Sequence, residues 1–279
     1  MTNNSINEPY VPNLGINYPA KPDDHMVVFR KTREVCVDEN YPFLDRSFTF
    51  RFKRGLMHFA IFTLVFLMSP LRFGLKIEGR NILRKYGNYF KGGAMTVSNH
   101  MHRWDLLFVL QAIRYRMVYF PLWKEQLNGP DSGIIRLAGG IPVPDDIHTI
   151  KYFNRAFDRI HEKKKWIHAF PESSRFDYFQ PIRPFKKGVF TLAYRYNLPV
   201  IPMAFSYRDP GSSFTLFNFL RSLTGRQKLP MITLRIGEPI LPDTSLGRKE
   251  AAGKLRKECH EAVVHLAGIR DNPYPVEGD

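Results

Sequence analysis

Cysteine is scarce. Cys36 and Cys259 are the only two in 279 residues, too few and too isolated for a disulfide framework or a thiolate metal site. A reducing compartment is then the default. Residues 1–25 are polar and proline-bearing and lack the basic n-region and apolar h-region of a secretory signal, so the chain is expected to stay in the cytosol. Internal repeats, low-complexity tracts and an interdomain linker are missing too, which leaves one catalytic-size domain. Acidic residues are outnumbered, 26 Asp and Glu against 41 Lys and Arg, and the net charge of +15 favours an anionic partner. Charge alone does not choose among nucleic acid, an anionic membrane and a phosphorylated or acidic-protein substrate. With 44% hydrophobic and 24% charged residues, the composition excludes both wholesale disorder and a polytopic membrane protein.

One long apolar run is present at residues 56–71, broken near its end by Pro70. A spanning helix needs roughly 20 apolar residues and usually has flanks of unequal basic charge. Here Arg51, Lys53 and Arg54 precede the run, and Arg72 and Lys76 follow it. Two basic ends point to a segment lying in an anionic interface, with a buried core helix as the alternative.

From Ala94 onward, short apolar runs alternate with amphipathic ones, the pattern of an α/β domain. Residues 94–98, 117–120, 166–170, 200–206 and 231–236 read as strands. Leu106, Val109, Leu110 and Ile113 form one helical stripe; Ile150, Phe153, Phe157 and Ile160 form another, closed by Lys163, Lys164 and Lys165. Residues 185–196 and 248–269 read as further helices. Residues 212–230 mix apolar and basic side chains without a clear period and read as an insertion or loop.

The most informative segment runs from Ser98 to Asp105 and sets His100 and Asp105 five apart where a strand hands over to a helix. On a continuous helix five residues turn about 140° and would part the two side chains. In a strand-loop-helix turn, Asp105 can reach back to His100. A histidine held by a carboxylate on one ring nitrogen presents the other as a base. No Gly-x-Ser-x-Gly elbow occurs and neither cysteine has an activating context, so the nucleophile must be the substrate's own hydroxyl. A metal site at His100, His102 and Asp105 lacks a completing ligand cluster, and no metal is expected. His260, Glu261 and His265 imitate a zinc-protease helix at the wrong spacing. Downstream, Phe170-Pro171-Glu172-Ser173-Ser174-Arg175 follows a strand, where α/β folds place their sites. Arg175 could grip a phosphate, and Glu172 could hold Arg175 or an acceptor hydroxyl.

His100-x4-Asp105, Phe170-Pro171-Glu172-x-x-Arg175 and Leu198-Pro199-Val200-Ile201-Pro202 resemble three blocks of the lysophosphatidic acid acyltransferase family, in that family's order. Lys124, Pro130 and Gly139-Gly140-Ile141-Pro142-Val143 resemble its intervening block, and Ile236-Gly237-Glu238-Pro239 its late strand ending. The resemblance covers roughly residues 75–240 and departs from the family in two places. Ser173 and Ser174 stand where the family often has Gly-Thr, and Pro144-Asp145-Asp146 stands where it commonly has a phosphate-binding arginine.

The resemblance implies an α/β single domain with a mostly β central sheet flanked by helices, plus an N-terminal membrane-interfacial helical element. The expected division is an extension at 1–50, the interfacial segment at 51–77, the acyltransferase domain at 78–270 and a tail at 271–279. It also implies transfer of a fatty acyl group from acyl-CoA or acyl-carrier protein to a lysolipid hydroxyl, at the cytoplasmic face of an anionic membrane, with no metal or redox cofactor. His100 and Asp105 would be catalytic. Glu172, Arg175, Lys124, Ser173 and Ser174 would bind substrate. Nucleic acid is set aside as a partner because the chain carries no recognisable binding module.

Overall fold

In the computed structural model, which describes residues 8–27 and 31–275, helices and strands alternate along most of the chain. Residues 1–7 and 276–279, the outer ends of the expected extension and tail, lie outside the described residues. The order is α1 Phe48–Phe73, β1 Lys76–Glu78, α2 Arg80–Lys85, β2 Met95–Ser98, α3 Asp105–Ala112, β3 Val118–Trp123, α4 Ser132–Ala138 and β4 Gly140–Val143. Then follow α5 Ile147–Glu162, β5 Trp166–Ala169, α6 Gly188–Arg195, β6 Val200–Arg208, α7 Leu216–Leu223, β7 Met231–Ile236 and α8 Arg248–Ala267.

The strands form one seven-stranded sheet in the order β1-β7-β6-β2-β5-β3-β4. All neighbours are parallel except β6 and β7, which are antiparallel. Central strands are buried along nearly all their length because helices cover both faces. On one face, Phe73 of α1 and Phe108 and Val109 of α3 pack against Ile201 and Phe205. On the other, Phe153 and Phe157 of α5, Phe190 of α6 and Leu255 and Val263 of α8 pack against Val97, Ile167 and Ala204. The expected sheet flanked by helices is therefore present, as a mixed sheet.

Two readings change, and an unread strand joins the sheet. Pro70 does not break the apolar run, since α1 continues to Phe73 and stops at Gly74 in the left-handed region, φ 53°. A proline this near the C-terminus removes one N–H without undoing the last turn. Residues 212–230 are not a plain loop, because they hold α7, whose N-cap Thr215 accepts from Asn218 N at 3.2 Å. Finally, β4 forms the sheet's edge, where Pro142 is tolerated because its missing N–H breaks no central ladder.

The long helix α1 lies along the domain. Near its start the buried Arg54 donates to Tyr119 Oη at 2.7 Å and sits over that ring, 4.4 Å from its centroid. Near its end Ser69 Oγ lies 2.7 Å from Gln111 Oε1 of α3, and Phe73 enters the core. The opposite face leaves Phe52, Leu56, Phe59, Phe62 and Phe66 exposed.

Candidate active site

Four parallel strands, β2, β5, β3 and β4, stand side by side, so their carboxyl ends share one edge of the sheet. His100 follows β2, residues 170–175 follow β5, Lys124 follows β3 and Asp145 follows β4. The sequence motifs thus converge by topology.

Asp105 opens α3 and is fully buried. Its Oδ2 lies 2.9 Å from His100 Nδ1 and accepts the backbone N–H groups of Met101 and His102, each at 2.8 Å. The loop is wound around this carboxylate. With Nδ1 held, Nε2 is the nitrogen left for chemistry. Phe170 stacks on the imidazole at 3.9 Å between centroids and 15° between planes, so the second motif fixes the ring of the first. The His100 side chain keeps 20% exposure, enough to be reached. Burial first, then the charges of Arg175 and Arg183, hold its imidazole well below the ordinary range, so it is neutral at physiological pH. Burial pushes the Asp105 carboxyl up, against the opposing pull of His102 and the two loop amides.

Glu172 lies behind this pair. It accepts His100 N–H at 2.9 Å and Arg183 N–H at 2.9 Å, and its Oε2 is 3.0 Å from Arg183 Nη2. The expected pairing of Glu172 with Arg175 is not formed. Glu172 pairs with Arg183, both nearly inaccessible, and Arg175 pairs with Asp177 at 2.8 Å. Ser174 is also occupied: its hydroxyl accepts from Arg183 Nη1 at 2.9 Å and donates to the Asp24 carbonyl at 3.1 Å. Ser173 is exposed, with a left-handed φ of 63°. Lys124 Nζ lies 2.5 Å from Asp145 Oδ2, and that hydrogen bond raises the Lys124 pKa.

Several contributors lie outside the sequence motifs. Arg183 sits among Ile182, Pro184 and Phe185, where an arginine signals a buried partner. Asn99 completes β6 as a surrogate strand, donating to Phe205 O at 3.1 Å and accepting Phe205 N–H at 2.8 Å. The N-terminal segment crosses the same sheet edge. Tyr18 Oη donates to Asp177 O, the Pro22 carbonyl accepts from Arg183, and His25 stacks on Trp123 at 4.1 Å. Among the described residues, no three His, Cys, Asp or Glu side chains converge as a metal site requires.

A histidine-carboxylate pair therefore stands at the carboxyl edge of a mixed sheet. Residues 74–206, just under half of the chain, match the Acyltransferase family. It is 27% identical over 163 residues to 1-acyl-sn-glycerol-3-phosphate acyltransferase alpha of Mus musculus, a match spanning 56% of this chain and 54% of that protein. The chain therefore matches about half the length of this curated relative. Its fold is similar to the crystal structure of the 1-acyl-sn-glycerophosphate (LPA) acyltransferase PlsC from Thermotoga maritima, with a TM-score of 0.50 at 19% identity, covering 79% of this chain and 81% of that one.

Proposed function

We propose that this protein transfers a fatty acyl group from acyl-CoA or acyl-carrier protein to the hydroxyl of a lysophospholipid such as 1-acyl-glycerol-3-phosphate, at the cytoplasmic face of an anionic membrane. The observation that carries the reading is the 2.9 Å contact between His100 Nδ1 and the buried Asp105 carboxylate. Nε2 of the neutral imidazole removes the acceptor's hydroxyl proton as that oxygen attacks the thioester carbonyl. Asp105 steadies the imidazolium that forms. When the C–S bond breaks, the proton passes to the leaving thiolate, giving an ester and a free thiol. General-base catalysis contributes about 10²–10⁴-fold, and positioning and oxyanion stabilisation supply the remainder.

Membrane attachment is supported by how α1 is held. Arg54 and Phe73 both fasten to the domain, and about 28 Å of helix lies between them at 1.5 Å per residue. A helix tied to one body at both ends does not cross a bilayer while that body stays on one side. It lies in the interface, with its exposed apolar face in lipid.

The Lys124–Asp145 contact supports a second reading of the acceptor, as another lysolipid, a glycolipid or an amino-lipid without a phosphate monoester. Such a phosphate carries nearly two negative charges, and Lys124, Arg175 and Arg183 each already face a carboxylate. A mass-spectrometric screen of lysolipid acceptors against one acyl thioester separates the two. His100→Ala is expected to lower kcat by about 10²–10⁴-fold with the fold intact, and Asp105→Asn nearly as much through the wrong tautomer. Wild-type turnover by His100→Ala would end the general-base assignment.

A further inference from the structure

The short helix α7 is amphipathic in the wrong direction for a protein surrounded by water. Its apolar stripe, Leu216, Phe219, Leu220 and Leu223, has helical spacing and faces outward, and Phe214 just before it is also exposed. Two polar side chains at its start face inward. Thr215 and Asn218 are buried, and Asn218 exchanges hydrogen bonds with the backbone of Leu229, donating to its carbonyl at 2.8 Å and accepting its N–H at 2.9 Å. A helix anchored by amides with its leucines turned out needs an apolar medium on its outer side.

What covers it follows from its neighbours and its charge. α7 adjoins the end of α1, where Arg72 lies over the Phe217 ring at 4.9 Å from its centroid and Thr215 closes on Gly74. The outward apolar face of α7 therefore continues that of α1. No acidic residue occurs from residue 46 to 77 or from 210 to 237, whereas Arg221 lies within α7 and Arg226 and Lys228 follow it. Apolar side chains bordered by unopposed cations match an anionic lipid surface. A crevice between the two helices is lined by Arg72, Phe73, Phe217, Tyr178 and His102. It ends on the loop that carries His100, so this face lies beside the catalytic loop.

We propose that α7 is a second bilayer-docking element, which with the end of α1 seats the crevice beside His102 on an anionic membrane. This rests on the membrane-surface reading above, and the test keeps the two apart. In a Cys36→Ser background, in which Cys259 is buried, an environment-sensitive fluorophore is attached at Leu223→Cys and, separately, at Phe59→Cys on α1. Vesicles of phosphatidylglycerol and phosphatidylcholine are then added. Blue shifts at both positions, each quenched by spin-labelled lipid, are the expected result. A shift at α1 alone overturns the proposal and leaves the membrane reading standing; a shift at neither overturns both. A shift at Leu223 produced by acyl-carrier protein, or by concentrating the protein without vesicles, makes α7 a protein-contact surface and also overturns it. Replacing Arg226 and Lys228 with Gln should weaken binding to the anionic vesicles roughly five- to thirtyfold at low salt. Binding to pure phosphatidylcholine should stay unchanged.

Discussion

Glu172 is the residue on which the His100 loop leans, since it holds the His100 backbone from one side and the Arg183 backbone and guanidinium from the other. Burial raises its pKa, and Arg183 opposes that. Removing the cation would strand a carboxylate at 3% exposure. Arg183→Met is therefore expected to cost about 3–5 kcal/mol of stability, whereas Arg175→Ala, which breaks a more exposed pair with Asp177, should cost no more than about 1 kcal/mol. Denaturant titrations of both variants check this, and equal losses would return Glu172 to Arg175. His100, Asp105 and Phe170 were legible because each belongs to a short motif at a strand's end. The Glu172–Arg183 pair was not, because Arg175, three residues away, looked the nearer partner and only the folded loop brings Arg183 in. Ser173 has a separate legacy. Its left-handed φ of 63° is the conformation that glycine adopts without penalty, which gives a physical reason for the glycine common at this position. Ser173→Gly should stabilise the protein by about 1 kcal/mol. An unchanged or lower unfolding midpoint would deny the strain.

At the scale of elements, legibility followed burial. β2, β5, β6 and β7 are buried along nearly all their length, and their apolar runs announced them. β1 is three residues with a lysine and a glutamate at its ends, and β4 is four residues that include a glycine and a proline, so neither had a strand's pattern; both are edge strands, held by a single neighbour. α7 does carry the i, i+3, i+4, i+7 stripe, but Phe214 and Phe217 blur it. α1 was readable as an apolar segment, whereas its attachment through Arg54 and Ser69 depends on tertiary contacts. That attachment bears on a test. Phe62 and Phe66 lie on its exposed face, and replacing both with Asp should release the protein from anionic vesicles and lower activity on bilayer substrates more than on soluble ones. Vesicle sedimentation measures it, and undiminished binding would return α1 to a core-helix role.

Across the whole molecule, the sheet that aligns the motifs also buries titratable groups at its centre, which ties stability to pH. His168 lies in β5 at 0% exposure, with Nδ1 2.9 Å from Thr96 Oγ1. Burial, aided by nearby His100, lowers its pKa from 6.5 to about 3. Burial likewise lowers that of the partly exposed His102 to about 4. In the unfolded chain both take a proton near pH 6.5, which the folded state refuses until well below pH 5. The unfolded state thus binds more protons in this window, and stability falls as pH falls through it. For His168 the loss by pH 5 is about 2 kcal/mol, from 1.36 kcal/mol per pH unit over about 1.5 units. His100 acts in the same direction. Asp105 opposes it, because its raised pKa lets the folded state take up a proton before the unfolded chain does. His100 and Asp105 thus act in opposite directions, while His168 and His102 both add to the acid loss. Replacing His168 with Gln removes one of these acid-sensitive groups while keeping a partner for Thr96. Urea midpoints at pH 7.5 and 5.0 should then show a smaller acid loss for His168→Gln than for wild type, by about 2 kcal/mol when converted through the common m-value. The variant should be no more stable than wild type at pH 7.5, because the neutral imidazole has its hydroxyl partner there. Parallel pH profiles for the two proteins would mean that His168 is protonated at little cost in the fold, and the burial argument for the centre of the sheet would fail.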